Sequence, residues 1–131
     1  MRYLTLLLVP VLLAGLCHAQ TETAVYPCHR PSTAPLIDGD VAGDAAWASI
    51  PTVTGFRVLG ADYAFSKQTT ARMCWDDEAF YVGVEAEEPD AAELRPTATD
   101  GGWTWGEDRV EVFLQPVGQV YQICVTAGGA K

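Results

Sequence analysis

Two tryptophans, Trp103 and Trp105, stand in a glycine-rich stretch running from Asp100 to Gly106, where no core has to be filled. Glu111 follows on a strand-like run, and Gln122 lies on the run after it. A pyranose presents C–H groups on one face, which a flat electron-rich ring complements, while its ring-edge hydroxyls seek carboxylates and amides. Trp105 with Glu111, and next Gln122 and Trp103, therefore form the candidate ligand-binding set. The competing use of these two tryptophans is to cover one end of the fold.

Glu107, Asp108 and Glu111 offer a second chemistry, glycoside hydrolysis, but their spacing opposes it. Hydrolysis needs two carboxyl groups flanking one bond at ~5–10 Å, one of them with a raised pKa. Asp108 and Glu111 are three positions apart on a strand, so they emerge on opposite faces, and Asp108 is expected to cap the loop entering the strand. No catalytic residue is assigned, and the chain is expected not to be an enzyme by itself. Asp76-Asp77-Glu78 and the stretch from Asp38 to Asp44 carry oxygen donors suited to calcium. The latter lacks EF-hand spacing, with Ala42 at the fifth position and Ser49 at the twelfth. Cys28-His29 lacks the second cysteine of a haem-attachment motif. His29 falls in an N-terminal arm and Met73 is expected in the core, so haem ligation is not expected.

The elements that would position these groups are strands. Val53 to Val58, Thr69 to Trp75 and Ala79 to Glu87 read as three, the last two joined by the acidic turn. In the third, Phe80, Val82, Val84 and Ala86 alternate with Tyr81, Gly83, Glu85 and Glu87, the period of a strand with one buried face. Before them, Asp44 caps one helical turn, Ala45 to Ser49, that turns Trp47 inward; Trp75 is also read as core. A long loop runs from Pro89 to about Gly106. Arg109 to Gln115 and Val120 to Ala127 then form a hairpin across Pro116-Val117-Gly118-Gln119. Symmetric closure sets Glu111 opposite Cys124 and Phe113 opposite Gln122, with Val110, Val112, Leu114, Tyr121, Ile123 and Val125 facing the core. The pattern is all-β, an antiparallel β-sandwich.

Several phrases together resemble the family 9 carbohydrate-binding module. Pro35-Leu36-Ile37-Asp38-Gly39 followed by Trp47 is similar to its opening phrase. Cys74-Trp75-Asp76-Asp77-Glu78-Ala79-Phe80-Tyr81-Val82 resembles its central hairpin, which Glu87-Glu88-Pro89 closes. Trp105-Gly106-Glu107-Asp108-Arg109-Val110-Glu111-Val112-Phe113 resembles its phrase Trp-x-x-Asp-x-Val-Glu-x-Phe. The resemblance implies a sandwich that binds mono- or oligosaccharide units of polysaccharides, is associated with calcium, and commonly accompanies glycoside hydrolases. It assigns Trp105 to one wall of an aromatic clamp and Glu111 to the hydroxyl-binding carboxylate. Two departures stand out: Cys124 replaces a common arginine, and the second clamp aromatic belongs to a C-terminal third that Lys131 precedes. The sandwich is thus expected to be incomplete at its C-terminus.

Composition narrows the partners. Arg2, the apolar run Leu4 to Leu16 and the small residue Ala19 have the form of a signal peptide, residues 1–19. Secretion or delivery to the periplasm or cell envelope follows, with an arm or linker at 20–34 and the domain at 35–131. The run is too short to span a bilayer. All 17 acidic residues lie beyond it, against 7 Lys and Arg, for a formal charge of −10. Such a surface repels nucleic acid and anionic membranes, leaving neutral ligands and divalent cations open; a saccharide is the ligand that the resemblance implies. The expected protein partner is a glycoside hydrolase, to which the chain is an accessory module, or another envelope protein, for which a sandwich of this fold need bind no sugar. Three cysteines remain after cleavage, Cys28, Cys74 and Cys124, and any pairing leaves one over.

Overall fold

Local sequence dictates the first sheet. Thr69–Trp75 (β2) and Phe80–Ala86 (β3) are rich in β-branched and aromatic residues and meet across Asp76-Asp77-Glu78-Ala79. Asp76 Oδ1 accepts the backbone N–H groups of Glu78 and Ala79, 2.8 and 2.9 Å away, and this closes the turn. The strands pair antiparallel from Thr69↔Ala86 to Trp75↔Phe80. This computed structural model describes residues 24–61 and 63–131, so the predicted signal peptide lies outside the described residues.

The expected strand over Val53–Val58 is only Thr52–Val53 (β1), paired with Arg72 and Ala71 of β2. Gly55 adopts φ +76°, which breaks the extended run, and Arg57 makes only an isolated bridge to Ala64. Residues of the expected arm also dock on β2. His29 bridges Cys74, and the Tyr26 hydroxyl contacts backbone groups of Pro51 and Met73.

Asp44 accepts from the Ala46 N–H at 2.9 Å and caps a short 3-10 turn, Ala45–Trp47. The turn lays Trp47, 4% exposed, against Ile50 and Cys74, with Val41 and Tyr81 at the margin. This cluster sits on the Tyr81–Gly83 face of β3. A Cβ on Gly83 would meet Val41 at 3.1 Å and Trp47 at 3.2 Å, so glycine makes the close approach possible.

The second sheet is the hairpin of Arg109–Leu114 (β4) and Tyr121–Thr126 (β5). Its register sets Glu111 opposite Cys124 and Phe113 opposite Gln122, as the sequence predicts. Gly118, at φ +69°, turns the connection. The apolar faces of the two sheets line one cleft of about 920 Å³. Phe80, Val82 and Val84 contribute from one side and Val110, Val112 and Ile123 from the other. The architecture is thus all-β, with two antiparallel sheets and, among the described residues, no α-helix.

Two core expectations need correction. Phe80, Ile123 and Val125 face the cleft yet stay exposed, because among the described residues no further layer fills it; Tyr121 is exposed as well. Trp75 is 43% exposed instead of buried. Paired with Phe80, it lies on the face of β2 opposite the Trp47 cluster, where its indole N–H donates to the Cys28 carbonyl and Arg30 lies 5.6 Å from its ring.

Candidate functional site

The outer face of the β4–β5 hairpin carries Arg109, Glu111 and Phe113 on one strand and Gln122 and Cys124 on the other. Alternation makes this inevitable once Val110, Val112 and Ile123 turn to the cleft. Trp103 and Trp105 come to it from the preceding loop, which is fastened at several points. Glu107 Oε1 accepts three hydrogen bonds of 2.7 Å, from the Thr97 N–H, the Thr97 hydroxyl and the Ala98 N–H. The C-terminal residues fold back onto the same loop, where Gly101 N–H donates to the Lys131 carbonyl at 2.7 Å and Lys131 N–H to Asp100. Glu107, and not Asp108, is therefore the carboxylate that secures this loop; Asp108 takes part through its carbonyl, which accepts from Ala127 N–H.

Trp105 is 61% exposed and Trp103 is 78% exposed. Their ring centres are 6.4 Å apart with planes tilted by 42°, too close and too inclined for a sugar ring to lie between them. They form an open angular platform. Arg109 occupies the remaining neighbourhood, its guanidinium carbon 4.3 Å from the Trp105 ring centre. The same side chain donates from Nε to Glu111 Oε1 at 2.6 Å and from Nη1 to the Thr104 carbonyl at 3.1 Å. Trp105, Arg109 and Glu111 are thus one connected group. Gln122 is exposed on this face, diagonal to Glu111 across the hairpin, and Cys124 Sγ lies 3.5 Å from the Thr104 hydroxyl.

Sequence reasoning missed Arg109, although its signal was present: residues two apart on a strand share a face, so Arg109 had to lie beside Glu111. None of Trp103, Trp105, Glu111 or Gln122 lines the apolar cleft or a smaller polar hollow of about 400 Å³ beside Lys67, Glu88 and Glu107. The candidate surface is a shallow face.

The electrostatics do not resemble a hydrolytic centre. Hydrogen bonds from Thr97, its hydroxyl first and then its N–H, hold the Glu107 carboxyl below the usual carboxylate range. A general acid requires the opposite. Lys67 donates to both oxygens of Glu88, at 2.7 and 2.6 Å, and holds that carboxyl down as well.

The aspartates of the acidic turns, expected oxygen donors for calcium, are engaged within the protein. Asp76 spends its oxygens on the Glu78 and Ala79 N–H groups and the Tyr81 hydroxyl, and Asp77 pairs with Arg30. Asp38, Asp40 and Asp44 accept from nearby backbone N–H groups. Among the described residues no three His, Cys, Asp or Glu side chains are grouped to hold a metal ion. Nor does any described helix have the length and apolarity to cross a membrane.

No curated protein and no solved structure shows significant similarity to the chain. The sequence model described as "Carbohydrate family 9 binding domain-like" matches residues 37–123, about two thirds of the chain, from the segment before Trp47 into β5. With two antiparallel sheets beneath that match, the chain belongs to the carbohydrate family 9 binding domain-like family.

Proposed function

We propose that the chain is an exported, non-catalytic module that binds neutral mono- or oligosaccharide units of a polysaccharide on the outer face of the β4–β5 hairpin. One observation carries this reading: Trp105 is exposed, yet held in place beside a carboxylate by a contact with Arg109. A sugar ring stacks on the open side of Trp105. Glu111 and Gln122 accept and donate hydrogen bonds at its hydroxyls, and Trp103 extends the apolar platform. Export rests on Arg2, the run Leu4 to Leu16 and Ala19. A glycoside hydrolase acting on the same polysaccharide is the partner that such tethering would serve.

Calorimetric titration with xylose, glucose and their short oligomers tests the proposal. Saturable heat with at least one of them is expected, and Trp105→Ala is expected to abolish it. Absence of heat with all of them, or unchanged binding by Trp105→Ala, contradicts the site. A second reading, an envelope interaction domain that keeps the fold but binds no sugar, draws on Arg109 already engaging Glu111 Oε1. The same titration separates the two.

A further inference from the structure

We propose that Arg109 is the positioning residue of this saccharide site, backing the Trp105 ring with its guanidinium while turning one oxygen of Glu111 toward ligand. The inference rests on the sugar-binding reading and makes it more specific: the site presents one face of one indole, organised by a cation, and takes a single neutral pyranose unit at that ring.

The geometry assigns Arg109 three separate partners. Its guanidinium carbon is 4.3 Å from the centre of Trp105, its Nε is 2.6 Å from Glu111 Oε1, and its Nη1 is 3.1 Å from the Thr104 carbonyl. Thr104 and Trp105 belong to the loop, whereas Glu111 belongs to β4, so one side chain ties the stacking ring to the hydrogen-bonding carboxylate. Arginine suits this role because its planar fork can stack on an aromatic face and donate along its edge at the same time. The burial gradient agrees. The Arg109 and Glu111 side chains are 15% and 24% exposed, while Trp105 is 61% exposed. The cation is the sheltered support and the ring is the open surface.

Two consequences follow for the ligand. With Arg109 on one side of the ring and Trp103 inclined beside it, the pair cannot act as a parallel clamp. Glu111 Oε1 is engaged by Arg109, while among the described residues Oε2 accepts no hydrogen bond and is the oxygen free for a sugar hydroxyl. The charge of Arg109 is met by Glu111, so Arg109 offers an acidic sugar no free cation and the surface favours a neutral one.

The hairpin register supplies a rescue experiment, because position 124 lies directly opposite Glu111. Arg109→Met keeps the aliphatic stem but removes the charge and the donors. It is expected to weaken binding of xylose or glucose oligomers at least tenfold in calorimetry without a large change in melting temperature. It is also expected to move the fluorine resonance of Trp105 in protein labelled with 5-fluorotryptophan, and to leave that of buried Trp47 in place. Adding Cys124→Arg to Arg109→Met restores a cation beside Glu111 and is expected to recover part of the affinity and to return the Trp105 fluorine resonance toward its wild-type position; affinity regained without that return would mark a new sugar contact from position 124 and count against the positioning role. Arg109→Lys, with charge but no planar fork, is expected to fall between wild type and Arg109→Met, and it decides the matter if Arg109→Met fails to fold.

Binding by Arg109→Met within twofold of wild type overturns the proposal, as does a double variant no better than the single one. If wild type binds none of the sugars, the sugar-binding reading fails by itself. The Trp105 fluorine resonance then decides the positioning role, and an unmoved resonance in Arg109→Met overturns it.

Discussion

Gly83→Ala probes the packing on which the first sheet depends. Gly83 lies in the middle of β3, paired with Arg72, and Trp47 and Val41 cover it. An added Cβ would stand 3.1 Å from both Val41 methyl carbons and 3.2 Å from Trp47 Cζ2, inside ordinary van der Waals contact. Overpacking of this kind costs about 1–3 kcal/mol. Replacing a strand glycine also reduces the entropy of the unfolded chain, which offsets about 0.4–1 kcal/mol. The net expectation is a loss of about 1 kcal/mol, or roughly 4–8 °C in melting temperature for a domain of this size. Urea denaturation followed by circular dichroism measures it. In a Trp47→Leu background the obstruction shrinks, so Ala at 83 is expected to cost less, with a coupling of about 1 kcal/mol between the two positions. A Gly83→Ala protein as stable as wild type, or equal effects in both backgrounds, would refute the packing argument.

Acid is expected to destabilise the fold through Asp76, Glu88 and Glu107. Each is held below the usual carboxylate range: Asp76 by the Glu78 and Ala79 N–H groups, Glu88 by Lys67, and Glu107 by Thr97. A lowered native pKa contributes stability that is complete above the unfolded range near 4 and disappears as pH falls through the native values. Melting temperature should therefore drop steeply below about pH 4, and Asp76→Ala should flatten that drop; a level profile would contradict the assignment. The apolar cleft gives a further expectation. With Phe80, Ile123 and Val125 exposed, protein spanning residues 20–131 should bind a hydrophobic dye and associate as its concentration rises. Sedimentation showing a monodisperse monomer with no dye binding would contradict it.

Features set by neighbours in sequence were legible before the structure. The Asp76 turn, the span of β2 and the register of β4 against β5 all follow from local pattern, and the hairpin brings Glu111, Gln122 and Phe113 to one face with no long-range information. What was not legible depended on distant contacts. Apolar alternation marks Phe80, Val82 and Val84 as the buried side of β3, yet the tightest cluster forms on the other side, because Trp47 arrives there over Gly83. Trp75 is a core type of residue, yet among the described residues nothing covers it enough to bury it. The anchoring role expected of Asp108 belongs to Glu107, since the donors at Thr97 and Ala98 lie across a loop whose path no periodicity encodes. The sequence marks Glu111 as a hydroxyl-binding carboxylate without showing its partner. Its tie to Arg109 changes the candidate site from separate ligand contacts into one braced unit.

The central claim, that sugar meets this protein at Trp105, is tested most directly by following the four tryptophan indole N–H resonances during titration with xylose and glucose oligomers. Assignment comes from single Trp→Phe variants. The Trp105 signal is expected to shift progressively to saturation, with Trp103 following it, while buried Trp47 and distant Trp75 stay fixed. Four unmoved signals, or a response confined to Trp75, would contradict the account.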